Sequence, residues 1–302
     1  MTAAPSVTIA IPAYNERYFG EAFSSAIAQQ GVELEILVCD DSPGTAIEKA
    51  VGAANDPRVR YVRNPQRLGF AGNFTQCFTS ARGEMMKFLN DDDRLRPGSV
   101  AAMAAVLAAN RGVTLVSSRR QPIDAAGARL PDPPATMPLA AVSALMSGRE
   151  LGDFVLAHSL NLIGEPTTAM FRRADVSMED GHLFRWGGRD YHCLADMSLW
   201  LRLLAKGLAY YFAPPLSDFR MHSSQEQLRE GVRVSCLVER LWIAREARAA
   251  GFLAAPQLLG ASLASLRARI LPCIGASFLA PDEDAQLRAL LGEVDGELAS
   301  LR

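Results

Sequence analysis

An α/β fold, with a mostly parallel sheet flanked by helices and a helical extension at the C-terminus, is predicted by three features of the 302-residue chain. Short apolar runs, many of them β-branched, alternate with helical stripes through the first 118 residues, as a parallel sheet covered on both faces requires. The residues directly after these runs are unusually polar. After His222 the apolar spacing turns helical almost to the end.

The runs read as strands are Val7–Ile11, Leu34–Val38, Val59–Val62, Met85–Leu89 and Val113–Val116. Between the first two, Phe23, Ala26, Ile27 and Gln30 share one helical face; Phe74, Cys77 and Phe78 repeat that stripe between the third and fourth. Pro97 suits a first helical turn and opens an Ala-rich helix that Asn110 and Gly112 stop. From Arg119 to Ala140, Pro122, Pro131, Pro133, Pro134 and Pro138 predict a long connection or an irregular edge hairpin. Residues 141–222 hold mixed short elements, including a helix over Leu194–Ala205 with Leu199, Leu203 and Leu204 turned inward. Farther on, Val234, Leu237, Val238, Leu241 and Trp242 make a stripe that packs against the body. The expected organisation is therefore 1–118, 119–222 and 223–302, the first two being halves of one domain.

Lys and Arg total 31 against 33 Asp and Glu, a net charge of −2. That balance excludes a sequence-independent nucleic-acid binder, so an anionic ligand must be handled locally. No stretch approaches the roughly 18 consecutive apolar residues of a membrane span, and Met1–Ser6 has no basic region ahead of its apolar run. The expectation is a cytoplasmic protein, at most peripheral at the inner membrane face. Residues 226–269 carry seven Arg and four Glu. They read as a solvated helix face, with contact to an anionic membrane or lipid-linked substrate as the alternative. Cys39, Cys77, Cys193, Cys236 and Cys273, odd in number and without a CxxC pair, suit reduced thiols with no zinc or redox role.

In an open parallel sheet, ligands bind beyond the carboxyl ends of the strands. Those ends read Pro12-Ala13-Tyr14-Asn15-Glu16, Asp40-Asp41-Ser42, Arg63-Asn64 and Asn90-Asp91-Asp92-Asp93. No GxGxxG follows the first strand and no GxxxxGK[ST] occurs, which removes the main support for dinucleotide and P-loop readings. Five carboxylates at neighbouring strand ends repel one another unless cations or ligand donors compensate. Mg²⁺ or Mn²⁺ is the natural compensator; such an ion is held by one or two carboxylates, waters and substrate phosphates, which makes a nucleotide diphosphate the partner.

The run Val7–Asn15, the step Val38-Cys39-Asp40-Asp41-Ser42, the segment Arg63–Gly69 with Asn73 after it, and Lys87–Asp93 ahead of Pro97 together resemble family 2 glycosyltransferases. The resemblance covers 7–118 and extends through about residue 222. It implies a GT-A fold and an inverting enzyme that takes a UDP- or dTDP-sugar donor. Pro12, Ala13, Tyr14 and Glu16 would line the nucleoside pocket, Arg67 would flank the base or phosphates, and Asp41 would accept from the base imide N–H. A carboxylate in that role selects uracil or thymine over cytosine, which lacks the donor. The DxD position falls on Asn90-Asp91-Asp92: Asp92 would bind the metal, Asp91 the ribose or sugar. Asn90 leaves an amide oxygen in place of one charge, with Asp93 as the neighbour to offset it.

On the acceptor side, the resemblance implies that Asp196, in Ala195-Asp196 at the start of a helix, is the catalytic base. Ala195 stands where the family commonly has a second acid. The helix dipole favours the Asp196 anion, although proton transfer benefits from a higher pKa than that placement supplies. Glu165, in Gly164–Arg172, is an acceptor or sugar contact, and His222 resembles the late His that meets metal or diphosphate. Trp186 would stack on an acceptor sugar or serve packing. The acceptor would be a saccharide, a lipid-linked molecule or a natural product, and the C-terminal helices could form a homodimer face. A sugar-nucleotide nucleotidyltransferase and a non-catalytic nucleotide-sugar binder are the other readings. The former lacks its Gly-rich, basic strand-one loop; Asn90 and Ala195 motivate the latter.

Overall fold

The computed structural model describes residues 6–223, 232–276 and 279–301. Strands β1 (Val7–Ala13), β2 (Leu34–Asp40), β3 (Val59–Arg63) and β4 (Met85–Phe88) pair in parallel in the order β3-β2-β1-β4. Between them run α1 (Glu16–Ile27), α2 (Ala46–Ala54) and α3 (Gly69–Ser80). Next come β5 (Arg94–Leu95), α4 (Ser99–Ala109), β6 (Val113–Ile123), β7 (Ala144–Ser147), α5 (Gly148–His158) and β8 (Met170–Arg172). A two-stranded ribbon, β9 (Arg185–Trp186) with β10 (Arg189–Asp190), precedes α6 (Ala195–Leu204) and β11 (Leu208–Arg220). Three helices close the described chain: α7 (Val232–Ala249), α8 (Pro256–Ile270) and α9 (Pro281–Ser300).

The sheet is mixed. β8 lies antiparallel between β4 and β6, β11 runs parallel to β6, and the short β5 and β7 pair antiparallel with β11. Strand alternation sorts the two faces. Val7, Ile9 and Ile11 of β1 join Ile36 and Val38 of β2 under α1 and α4. Ala10 and Leu37 turn to the other face, where a second core runs through Phe74, Phe88 and Trp200 to Leu241, Phe252, Leu263 and Val294. The C-terminal helices are thus continuous with the core of the sheet domain, and the predicted stripe of α7 is buried at Val234, Leu237 and Leu241.

Three elements depart from the sequence reading. β6 continues to Ile123 instead of stopping near Val116, and Ile123 bridges to Arg129 as an edge hairpin would. Pro122 is tolerated there because β8 pairs with β6 only at Val116, and farther on Pro122 needs to offer only its carbonyl, which accepts from the Leu130 amide at 2.9 Å. β11 is thirteen residues long, its Pro214-Pro215 step absorbed by a register shift between Phe212 and Ser217. α4 begins at Ser99, so Pro97 sits in the preceding turn, which Gly98 completes at φ +74°. The reading of all five cysteines as reduced is also corrected. Cys193 and Cys236 are joined in a disulfide, with Cα atoms 5.2 Å apart across 43 positions, a proximity that only the packing of α7 creates. Cys39, Cys77 and Cys273 remain free.

Candidate active site

The carboxyl ends of β1, β2 and β4 carry the residues expected to line the nucleoside pocket. Asn15 caps α1, its side chain accepting from the Arg17 N–H at 3.0 Å, and this turn aims the amides of Tyr14 and Asn15 at Asp91. Both donate to Asp91 Oδ2, at 2.7 and 2.6 Å. Burial, reinforced by the charge of Asp92, pushes the Asp91 carboxyl up to about 7 against those two N–H bonds. A phosphate-cradling loop would leave such amides for its ligand; here a side chain takes them, which separates this turn from the Gly-rich loop of a nucleotidyltransferase. The Arg67 guanidinium stands 4.6 Å over the exposed Tyr14 ring, so these two predicted nucleoside contacts meet. Pro12 and Ala13 end β1, and Glu16 opens α1 with its carboxylate against the backbone of Gly44.

Asp41 is nearly satisfied from within. Its Oδ1 accepts from Asn64 Nδ2 and the Leu68 amide at 2.9 and 2.8 Å, and Oδ2 accepts from the Gly69 amide at 2.9 Å. Oδ2 retains one lone pair for a ligand donor. Asn64 also donates to Asn73, which in turn donates to the Cys39 carbonyl, so one network ties β2, the 64–69 loop and α3 together. Asp40 is fully buried and paired with Arg63 at 2.6 Å. Hydrogen bonds from Tyr61, Ser42 and Arg63 overcome the cost of its burial and hold its carboxyl below the usual range.

Most of the predicted acidic cluster is therefore compensated by protein donors. Asp93 is turned inward, accepting from Thr167 Oγ1 at 2.6 Å, the Arg220 amide at 3.0 Å and Asn90 Nδ2 at 3.2 Å. Burial drives its carboxyl well above the carboxylate range. It cannot offset the charge missing at Asn90, because its oxygens hold β11 and the 166–168 turn in place. Asp92 is the member left facing the cleft, with Oδ2 3.0 Å from His222 Nε2, so the predicted metal pair meets. His222 packs on Tyr18, ring centroids 5.0 Å apart, and the buried Arg220 lies over the same ring at 4.5 Å. Among the described residues no group of three or more His, Cys, Asp or Glu could hold a metal. One carboxylate and one imidazole fit an ion whose remaining ligands are diphosphate oxygens and water.

Glu165 and Asp196 are expected on the acceptor side. Gly164 has φ +105°, and a Cβ there would come within 2.6 Å of Arg120 and Thr168. Its carbonyl accepts from Trp200 Nε1 at 2.9 Å, which fixes the backbone one residue before Glu165. Glu165 Oε2 pairs with Arg120 Nε at 2.9 Å, whereas Oε1 is buried without a hydrogen-bond partner. Burial raises the Glu165 carboxyl although Arg120 opposes it. The fully buried Lys87 is pulled down to about 7 by desolvation, against the charges of Glu165 and Asp93.

Asp196 is the second residue of α6, after the N-cap Leu194. Its Oδ1 accepts from the Met197 amide at 2.7 Å and its Oδ2 from Asn161 Nδ2 at 2.6 Å. Burial, with a smaller contribution from Glu165, raises its carboxyl to about 7, outweighing the donors that favour the anion. The structure thus supplies the elevated value that the helix start alone did not. Glu165 is felt by Asp196 on one side and feels Asp92 on the other, so the three share one field. Trp186 is half-buried against the core, and no ring contact or hydrogen bond among the described residues links it to Glu165 or Asp196.

Sequence reasoning missed Asn161, Arg120, Thr167 and Glu239. Glu239 of α7 accepts the amides of His192 and Leu194 at 3.1 and 2.8 Å, holding the entry to α6. Lys87 alone carried a signal, a lysine inside the apolar run Met85–Leu89.

The sequence model of Glycosyl transferase family 2 matches residues 8–177, more than half of the chain. MT1568 of Mycobacterium tuberculosis (strain CDC 1551 / Oshkosh) is 30% identical over 225 residues, covering 74% of this chain and 69% of that protein. Succinoglycan biosynthesis protein ExoO of Rhizobium meliloti (strain 1021) is 36% identical over 100 residues, 33% of this chain and 29% of its own length. Among solved structures, S. aureus TarS 1-349 in complex with UDP-GlcNAc superposes over 98% of this chain and 73% of that one, with TM-score 0.54 and 14% identity. At that identity the likeness shows the GT-A fold alone. Motif order, fold and family match agree, and the chain belongs to glycosyl transferase family 2.

Proposed function

We propose that the protein is an inverting, metal-dependent glycosyltransferase that moves a sugar from a UDP- or dTDP-sugar to an acceptor hydroxyl in bacterial polysaccharide or glycoconjugate synthesis. The observation that carries this reading is the placement of Asp196 in the first turn of α6, its carboxylate held by Asn161 and the Met197 amide, in a chain of glycosyl transferase family 2. A donor bound to S. aureus TarS carries UDP, and ExoO is named for succinoglycan biosynthesis; both support the donor and pathway class.

In the proposed reaction, Asp196 takes the proton of the acceptor hydroxyl as its oxygen attacks the anomeric carbon. The bond from that carbon to the diphosphate oxygen breaks, and the nucleoside diphosphate leaves. One displacement inverts the centre with no covalent enzyme intermediate. Asn161 holds the Asp196 carboxylate in place, and the unpartnered Glu165 Oε1 accepts from a sugar hydroxyl. Tyr14 and Arg67 flank the base, the free lone pair of Asp41 receives the imide N–H, and Asp91 contacts the ribose or sugar. Asp92 and His222 would hold Mn²⁺ or Mg²⁺, which when bound supplies positive charge for the departing diphosphate. Under this reading the enzyme works in the cytoplasm and meets any lipid-linked acceptor at the inner membrane face; in the described residues no helix is long and apolar enough to cross a membrane.

Incubation of the purified protein with UDP- and dTDP-sugars and Mn²⁺ tests the class. Slow release of nucleoside diphosphate from one donor is expected. Pyrophosphate release would instead mark a nucleotidyltransferase, and tight binding without turnover a non-catalytic binder.

A further inference from the structure

Thr167 is fully buried in the Pro166–Thr168 turn that directly follows Glu165. Its hydroxyl accepts from the Asn90 amide at 3.0 Å and donates to Asp93 Oδ2 at 2.6 Å. Its carbonyl accepts from Lys87 Nζ, on the strand that leads into Asn90. The Asn90–Asp93 turn is closed by the Asp93 amide on the Asn90 carbonyl at 3.2 Å, so both ends of this turn are pinned on one hydroxyl. Asp92 lies inside the turn, and Arg220 Nε holds its carbonyl at 2.8 Å from the β11 side. Toward the acceptor side, Thr168 donates its amide and its hydroxyl to the Glu165 carbonyl at 2.9 and 2.8 Å. A continuous chain of short polar contacts therefore runs from the Asp92 turn through Thr167 to the backbone of Glu165.

A hydroxyl can accept one hydrogen bond and donate another at the same time, which this position requires. Ser would keep both bonds. Val, with the shape of Thr, would keep neither; it would strand the buried Asn90 amide and remove one donor from Asp93, leaving the turn free to shift Asp92. We propose that Thr167 is a positioning residue that sets the Asp92 carboxylate, and with it the metal and diphosphate end of the donor, in fixed register with the Glu165 end of the cleft. It acts only through the Asn90–Asp93 turn, as the outer hydrogen bonds around a metal ligand do. The assignment rests on the reading of Asp92 as the carboxylate that holds the metal.

The test is calorimetry of UDP binding to the full chain, once with Mn²⁺ and once with EDTA, which gives the factor by which metal tightens the nucleotide. Thr167→Val should lower that factor roughly tenfold, and Thr167→Ser should stay within about twofold of the wild type. UDP affinity in EDTA should be unchanged in both variants, because Tyr14, Asp41 and Arg67 do not touch Thr167. A merely structural Thr167 would change stability and leave the metal factor alone. The proposal is overturned if folded Thr167→Val keeps the wild-type factor, if it loses affinity equally in Mn²⁺ and EDTA, or if Thr167→Ser does not restore the factor. Should Thr167→Val lack native near-ultraviolet circular dichroism, Thr167→Ala removes the same hydroxyl without the added methyl and is read in the same way; loss of native structure in both would make Thr167 a folding residue and overturn the proposal. Wild-type protein that binds no UDP would count instead against the glycosyltransferase reading, and wild-type UDP affinity indifferent to Mn²⁺ would overturn metal dependence and this inference with it.

Discussion

Asn161 Nδ2 donates to Asp196 Oδ2 at 2.6 Å and so joins the loop after α5 to the first turn of α6. The bond favours the charged form of a carboxylate that burial disfavours. Asn161→Ala should therefore raise the Asp196 pKa above about 7 and move the rising limb of the pH–rate profile to higher pH. Turnover at neutral pH should fall roughly tenfold or more, the range in which a mispositioned base acts. An unchanged pH profile would show that Asn161 does not tune this group.

The wild-type profile itself follows from the same carboxyl. A base at about 7 is protonated below neutrality, so kcat/KM should climb through pH 7 and level off above it. Stability runs the other way. For an acid whose folded pKa lies above its ordinary 3.8, the folded state binds the extra proton, so stability falls as pH rises from about 3.8 to about 7. Asp196→Asn removes that loss, and its Tm at pH 8 should equal or exceed that of the wild type, as judged by scanning calorimetry.

Asp41 tests whether a predicted ligand contact is also a scaffold. Asp41→Ala leaves the Leu68 and Gly69 amides and the Asn64 side chain without their acceptor. Denaturant titration should show a loss of roughly 2–4 kcal/mol, the scale of stranded donors to a charged group. UDP affinity should fall with it, because Arg67 rides on the same loop. A variant of undiminished stability would mean that the loop is held elsewhere.

The Cys193–Cys236 disulfide fastens α7 to the segment entering α6. Reduction, or Cys236→Ser, should cost roughly 2–4 kcal/mol through the freed loop. Glu239 still holds the amides of His192 and Leu194, so UDP affinity should not change. A Tm insensitive to reductant would contradict a stabilising bond.

The parallel half of the sheet was readable because its strands are short apolar runs closed by polar residues, a pattern with a local physical cause at Val7–Ile11 and Leu34–Val38. β11 was not, since Pro214-Pro215 speaks for a loop and only pairing with β6 makes the strand. The site divides the same way. Tyr14, Asp41, Asp92 and Asp196 sit at element ends, where sequence marks them. Asn161, Arg120 and Glu239, which hold Asp196, Glu165 and the amide of Leu194, lie tens of residues from those partners and become visible only through packing. The acidic cluster shows the limit most clearly: five carboxylates suggest a cation, yet Arg63, Asn64, Thr167 and backbone amides satisfy four of them.

The central claim is that Asp196 deprotonates the acceptor. Sugar transfer by Asp196→Asn, measured beside UDP–Mn²⁺ affinity, tests it most directly. The account predicts transfer lowered by a factor of roughly a thousand or more, within the range for loss of a general base, with nucleotide affinity unchanged within error. An Asp196→Asn enzyme that transfers sugar at the wild-type rate would contradict it.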